Sequence, residues 1–328
     1  MDGMEGAQLC FPQLLNSSCR GLMRPRTETV LLYTLLSSIA VLTVVLNLLV
    51  IISISHFGQL HTPTNLLLLS LAIADLLVGL LVMPVEMVRF IETCWLLGDL
   101  VCTFSYMMGF TLISASVGNM VLISIDRFVA ICYPLQYPIH ITRSRIEVCV
   151  CACWAASFFY NGLILMDHLR QPDRYNSCDG ECMVVISFVS GTIDLLCTFF
   201  GPCSVIVVLY VRVFVVAVSQ ARVGRSHFTA VGAVKVTAKK SERKAARALG
   251  MVIMVFLMSF CPYYYPSLAG QEISNSASSW AIVSWLLFFN SCLNPLIYAF
   301  FYPWFRKAIK LIVTLKILEQ NSSQENIM

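Results

Sequence analysis

The chain has 328 residues, of which 58% are hydrophobic and 12% charged, with a formal net charge of +4. That composition is too apolar for a water-soluble domain of this size and places the chain in a bilayer. The small positive excess gives no sign of a nucleic-acid partner, because the basic residues lie in short loops where membrane orientation and anionic lipid account for them.

In chain order, the first 29 residues are polar and carry Asp2, Glu5 and Glu28, so no cleavable signal peptide is expected and the first span acts as its own insertion signal. Charge-poor stretches follow near residues 30–54, 64–85, 100–125, 148–166, 183–211, 248–271 and 280–301. Each has about 20 residues or more, enough for one helical crossing of a hydrocarbon layer roughly 30 Å thick. The expected fold is an all-α membrane protein: a seven-helix bundle over residues 30–302, preceded by an amino-terminal segment, 1–29, and followed by an amphipathic helix and tail, 303–328. With the amino terminus outside, six Lys/Arg are external (Arg20, Arg24, Arg26, Arg89, Arg170 and Arg174) against sixteen of the twenty-two on inner loops and tail, as the positive-inside rule prefers. The segments expected to be mobile are the amino terminus, the basic loop Ser219 to Lys240 and the polar end from Glu319.

Six of the fourteen cysteines fall outside: Cys10, Cys19, Cys94, Cys102, Cys178 and Cys182. Six cysteines allow 15 connectivities, and spacing does not choose among them. Cys149, Cys151 and Cys153 imitate a metal cluster, but alternate helical residues diverge by about 200°, so they read as apolar filler. Asn16 opens an external Asn-Ser-Ser sequon and is expected to carry sugar; the one at Asn321 is internal and expected to stay bare.

Two carboxylates lie inside the apolar stretches. Asp75 in the second costs on the order of 2.5 to 3.5 kcal/mol to insert unpartnered. Asp194 lies in the fifth, twelve residues beyond Cys182 and eight before Pro202, with no Lys or Arg expected at comparable depth, so its partner is expected from outside the chain. Glu86 ends the second span, and Arg89, three residues on, can pair with it.

The run NSCLNPLIYAFFYPWF, Asn290 to Phe305, sets amides, hydroxyls and Pro295 in an apolar helix that must therefore face protein. It resembles the seventh-helix signature of trace amine-associated receptors, a branch of the rhodopsin-like (class A) G protein-coupled receptors. Asn47, Leu71-Ala72-Ile73-Ala74-Asp75, Asp126-Arg127-Phe128, Trp154, Pro202, Tyr210, Pro262 and Asn294-Pro295-Leu296-Ile297-Tyr298 match that group's landmarks across residues 30 to 315. Phe128 stands where Tyr is commoner and Phe260 where Trp is commoner.

The resemblance implies disulfides Cys102–Cys182 and Cys19–Cys178, and an allosteric sodium ion held by Asp75, Ser116, Asn290 and Asn294, with no other cofactor. A protonated Asp75 bonded to the same amides is the alternative. It also implies coupling to a heterotrimeric G protein through Asp126, Arg127, Tyr210 and Tyr298, stimulatory and raising cyclic AMP, with odorant sensing the usual role. The basic run Lys239-Lys240-Ser241-Glu242-Arg243-Lys244 is expected to meet that G protein or anionic headgroups, and the amphipathic stretch Trp304 to Ile312 to lie along the inner membrane surface.

One departure matters. Amine receptors ordinarily hold the ammonium with an aspartate on the third helix, eighteen residues before the Asp-Arg arginine; here that position is Gly109. The acid is on the fifth helix instead, at Asp194, so the chain resembles the branch in which the amine anchor has moved. The ammonium then points to Asp194 and the tail runs beside Gly109. Tyr263, Tyr264, Phe260, Trp285 and Phe288 are expected as aromatic walls, and Tyr106, Phe110 and Ile113 as the opposite wall, while Tyr265 and Phe289 read as packing. Glu86 is a candidate second ammonium site, against the local pair with Arg89. The alternative function is the same fold with a non-amine ligand, Asp194 then being protonated and donating a hydrogen bond. A transporter or channel predicts a continuous polar pathway and repeated halves, which the chain lacks.

Overall fold

The computed structural model describes residues 7–22, 24–226, 250–251, 254–264, 277–319, 322–324 and 327. Strands β1 (Ala7–Leu9) and β2 (Arg20–Leu22) form an antiparallel hairpin with Ala7 opposite Leu22. The bundle follows as α1 (Arg26–His56), α2 (Pro63–Ile91), α3 (Asp99–Cys132), α4 (Arg143–Ile164), α5 (from Phe188 through Val216 and on to Ser226), α6 (Met254–Tyr264), α7 (Ala277–Phe301) and the short α8 (Pro303–Val313). Among the described residues six helices are long and apolar enough to cross a membrane, and α6 is a shorter apolar helix. The stretch 265–271, expected to complete the sixth span, and the basic run 239–244 lie outside the described residues.

Local chemistry sets the helix limits. The Thr62 side chain caps α2 by accepting from the Asn65 amide, and Pro63 takes the first turn, where its missing N–H costs nothing. Inside α2 the segment Val78–Val82 widens into a π-turn just before Pro84, and inside α5 Leu195–Phe200 does the same just before Pro202. A proline removes one helical hydrogen bond and crowds the carbonyl four residues back, and a wider turn absorbs both effects. Helix α5 begins at Phe188, not near 183, because Cys182 is tied to α3 by a disulfide and Ser187 caps the first turn by accepting from the Ser190 amide. Charges do not end helices by themselves: α3 continues through Asp126 and Arg127 to Cys132.

The core is a polar-threaded apolar interior. Phe57, Leu67, Leu71, Ile123, Phe256 and Phe305 are buried in one cluster, and Leu36, Val82, Met83, Leu112, Trp285 and Phe288 in a second. Leu31, Leu35, Val41, Val148, Phe159 and Val208 stand exposed on the outside of the bundle, the surface that hydrocarbon would cover. Conserving close approach, Gly118 lets α4 press onto α3: a Cβ there would lie 2.3 Å from the Cys153 sulfur. Asn47 on α1 donates to the Ser291 carbonyl of α7 at 3.0 Å, and the Trp154 indole of α4 to Ser70 of α2 at 3.0 Å.

Two segments expected to be mobile are held. Residues 7–22 are pinned by disulfides Cys10–Cys94 and Cys19–Cys178. Beyond Glu319, Ser322 bonds His56 at 3.0 Å and Ile327 is buried in the main cluster. Of the loop from Ser219 to Lys240, Ser219 to Ser226 continue α5 and the remainder lies outside the described residues. Helix α8 is two-faced as expected: Trp304, Phe305, Ala308 and Leu311 are buried while Arg306, Lys307 and Lys310 are exposed.

Candidate functional site

Asp194 occupies the last residue of the first segment of α5, immediately before the π-turn. It is half-buried, and three hydroxyls converge on it: Tyr160 of α4 donates to Oδ1 at 3.2 Å, Thr198 of α5 to Oδ1 at 2.8 Å, and Tyr264 of α6 to Oδ2 at 3.2 Å. The expectation was that no Lys or Arg lies at the depth of this carboxylate; what the sequence did not foresee is that three neutral hydroxyls surround it. A carboxylate accepts at both oxygens, so the hydroxyls orient it and leave its charge uncompensated. Tyr160 and Thr198 were not anticipated. Thr198 is four residues beyond Asp194, a spacing legible as one helical face, whereas nothing in the sequence pairs α4 with Asp194.

The aromatic residues arrange around this acid. Tyr264 stacks on Phe199 with ring centroids 4.8 Å apart and meets Tyr263 edge-on at 5.0 Å. Phe260 packs on Phe256 at 4.2 Å, Trp285 meets Phe288 edge-on at 6.2 Å, and Tyr106 lies 6.0 Å from Phe110. A small cavity deeper in the bundle is lined by Ile113, Ser116, Phe260, Phe288, Asn290 and Ser291, among others. Gly109 is buried, and a Cβ there would meet only Val82, at an ordinary 3.6 Å. Phe289 is half-buried; Tyr265 lies outside the described residues.

Glu86 is engaged locally. Its carboxylate forms an ion pair and hydrogen bond with Arg89 one turn later. Arg89 also donates to Ser105 at 2.6 Å, and its guanidinium lies 4.0 Å from the Tyr106 ring centroid and 5.4 Å from that of Trp95.

At mid-bundle Asp75 is fully buried and accepts from the Asn294 amide at 2.8 Å. Its second oxygen, with Ser116 Oγ, Asn290 Oδ1 and Asn294 Oδ1, is buried without a hydrogen-bond partner among the described residues. Buried carboxylate, amide and hydroxyl oxygens left without donors are the ligand type that a hard monovalent cation takes, so these residue types fit a sodium ion.

At the end opposite the hairpin, Arg127 is bound to its own neighbour. Its guanidinium donates to Asp126 Oδ2 through Nε at 2.8 Å and Nη2 at 2.5 Å, and also bonds the Thr64 hydroxyl. Asp126 further accepts from Thr64 at 2.9 Å and from Tyr137 at 2.8 Å. Burial, and then the neighbouring Asp126 charge, push the Tyr137 phenol up despite its Thr64 contact, so it remains a donor at neutral pH. Tyr210 of α5 is half-buried against Gly250, and Tyr298 of α7 is buried with its hydroxyl unpartnered among the described residues.

At the hairpin end three disulfides close. Both pairings implied by the resemblance are present, Cys102–Cys182 and Cys19–Cys178, and Cys10–Cys94 is added. Ser17 donates to the Asp179 carboxylate at 2.5 Å and accepts at its carbonyl from the Asp179 amide at 2.7 Å, while the Cys19 amide donates to the Asp179 carbonyl at 2.9 Å. Asp179 is thus a structural anchor of the loop, and Asn16 beside it is exposed.

The sequence model described as 7 transmembrane receptor (rhodopsin family) matches residues 46–298. The chain is 41% identical over 330 residues to Trace amine-associated receptor 13c of Danio rerio, covering 98% of this chain and 96% of that protein. It is 39% identical over 331 residues to Trace amine-associated receptor 6 of Homo sapiens (98% and 95% covered) and 39% over 332 residues to Trace amine-associated receptor 7e of Rattus norvegicus (98% and 92%). Matched nearly end to end at this identity, and built as a bundle of membrane-spanning helices, the chain belongs to the rhodopsin-like seven-transmembrane receptors and, among them, to the trace amine-associated receptors.

Proposed function

We propose that this receptor, which is not an enzyme, responds to organic amines whose ammonium docks on Asp194. The observation that carries the reading is the Asp194 carboxylate itself: half-buried, oriented by Tyr160, Thr198 and Tyr264, and given no cation by the described residues. The three hydroxyls bring no positive charge to the acid, so a cationic ligand group complements it better than a neutral one, which favours the amine reading. Tyr263 and Tyr264 offer ring faces to the cation, a contact worth about 2 kcal/mol when desolvated. Because Gly109 supplies no acid on α3, the tail of the amine runs toward Tyr106, Phe110 and Ile113.

Signalling is through a heterotrimeric G protein, stimulatory and raising cyclic AMP, engaged at the Asp126–Arg127 end. The protein sits in the plasma membrane with its amino terminus outside; three disulfides at the hairpin end, bonds that persist in oxidising compartments, support that orientation. A sodium ion held by Asp75, Ser116, Asn290 and Asn294 would neutralise the buried acid and stabilise the unliganded arrangement. Agonists act by preferring the conformation that releases Arg127 from Asp126.

The test is a cyclic-AMP screen of monoamines and diamines on the parent and on Asp194→Asn at matched surface expression. Loss of response in the variant, by about 2 to 5 kcal/mol of binding or roughly 30-fold and beyond, supports the reading. Undiminished potency in Asp194→Asn overturns it.

A further inference from the structure

We propose that this receptor ranks amines by the number of N–H bonds on the charged nitrogen, with primary ammonium groups preferred and quaternary ones the weakest. The inference rests on the amine reading of Asp194 and names the class of amine that this acid takes. Three helices each set a hydroxyl against the one carboxylate: Tyr160 of α4 and Thr198 of α5 on Oδ1, at 3.2 and 2.8 Å, and Tyr264 of α6 on Oδ2, at 3.2 Å. A hydroxyl has one proton, and each of these spends it on Asp194, so what it turns to a ligand beside the acid is an oxygen lone pair. The site is a negative charge ringed by acceptors.

A primary ammonium brings three N–H donors, and one of them is taken by the carboxylate. The Tyr264 oxygen is 3.2 Å from Oδ2, close enough for one nitrogen to serve both atoms, so a second N–H reaches it. The Thr198 and Tyr160 oxygens flank Oδ1 and offer places for the third. Thr198 and Tyr264 are buried, where a bond to a charged donor is strong and one left unmade is costly. Each N-methyl group removes a donor and sets a methyl against an oxygen that gains nothing from it. A quaternary ammonium has no donor left and is ordinarily recognised by an aromatic cage. Tyr264 contributes little to such a cage: one of its faces is stacked on Phe199 at 4.8 Å, it meets Tyr263 edge-on at 5.0 Å, and its hydroxyl is aimed at the acid. A partial aromatic wall attracts methylated and unmethylated cations alike, so the hydroxyl oxygens decide the ranking.

The experiment measures cyclic-AMP potency, on cells with quantified surface receptor, for benzylamine, 2-phenylethylamine and hexylamine and for the N-methyl, N,N-dimethyl and N,N,N-trimethyl derivative of each. All members are cations at neutral pH, so the charge that meets Asp194 is constant along each series. In the parent, potency falls at each methylation, and the primary amine exceeds its trimethylated relative by about tenfold or more, the scale of one charge-assisted bond. In Tyr264→Phe that ratio shrinks several-fold, through a larger loss for the primary amine. Thr198→Val shifts the ratio in the same direction and decides the matter if Tyr264→Phe does not reach the surface. A trimethylated member as potent as its primary amine in the parent, or an unchanged ratio in the expressed variants, overturns the proposal. So does a ratio that shrinks because the trimethylated member gains while the primary amine is unmoved, which marks crowding instead. If Asp194→Asn abolishes primary-amine responses while methylation leaves parental potency level, this inference fails alone; if Asp194→Asn leaves those responses intact, it is the amine reading that fails.

Discussion

Tyr160 on α4 donates its phenol to the Asp194 carboxylate on α5, 3.2 Å away, and shares the oxygen it reaches with Thr198. One carboxylate oxygen is thus held from two sides, while among the described residues the other receives Tyr264 alone and keeps more of its accepting capacity for a ligand.

Tyr160→Phe removes an oriented donor without removing the charge. Hydrogen bonds to charged groups contribute about 1.5 to 3 kcal/mol, so amine potency is expected to fall roughly tenfold to a hundredfold. Maximal response and surface level stay near parental values. A concentration-response series checks this, with Thr198→Val expected to act in the same direction.

Cys10→Ser opens the link between the hairpin and the loop after α2. A disulfide closing a loop of this length contributes about 2 to 4 kcal/mol, so a lower thermal midpoint and reduced surface expression are expected. Cys94→Ser and the double replacement should match the single one, because the same bond is lost in each. Thermal unfolding of purified receptor, with and without the partner mutation, measures it.

Asp75→Asn leaves the Asn294 neighbour in place and removes the charge. Raising sodium at constant ionic strength is expected to weaken agonist binding to the parent several-fold, and to leave the variant unaffected. Radioligand competition in sodium against a large organic cation such as N-methylglucamine separates specific binding from screening.

Tyr137→Phe deletes one of the bonds that hold Asp126 beside Arg127. Loss of that charge-accepted bond, about 1.5 to 3 kcal/mol, shifts the resting equilibrium toward release of Arg127, so ligand-free cyclic AMP should rise several-fold. The readout is basal signal normalised to surface receptor.

Much of the architecture was legible because a bilayer demands long apolar runs, and seven of them are visible in the chain. A carboxylate in such a run stands out at once, which is why Asp75 and Asp194 could be singled out from sequence. What surrounds Asp194 was less legible: Thr198 shares its helix face by simple spacing, but Tyr160 reaches it only through the packing of α4 on its neighbours. The same reason hid Cys10–Cys94, since cysteine spacing carries no record of which loops fold together. Pro202 is visible in the sequence, yet that the helix would accommodate it by a wide turn starting at the residue after Asp194 is a property of the assembled helix. The local pair Glu86–Arg89 was visible as a three-residue spacing; its bracing by Ser105, Tyr106 and Trp95 was not.

The connectivity of the hairpin end sets a demand on biosynthesis. Cys10 and Cys19 are made first, nine positions apart, yet neither belongs to the other: Cys10 waits for Cys94, 84 residues later, and Cys19 for Cys178, 159 residues later. Both thiols must stay unjoined, or be reshuffled, until α2 and then α4 have been threaded. Yield in a heterologous host should therefore track its supply of disulfide isomerase more closely than its rate of translation.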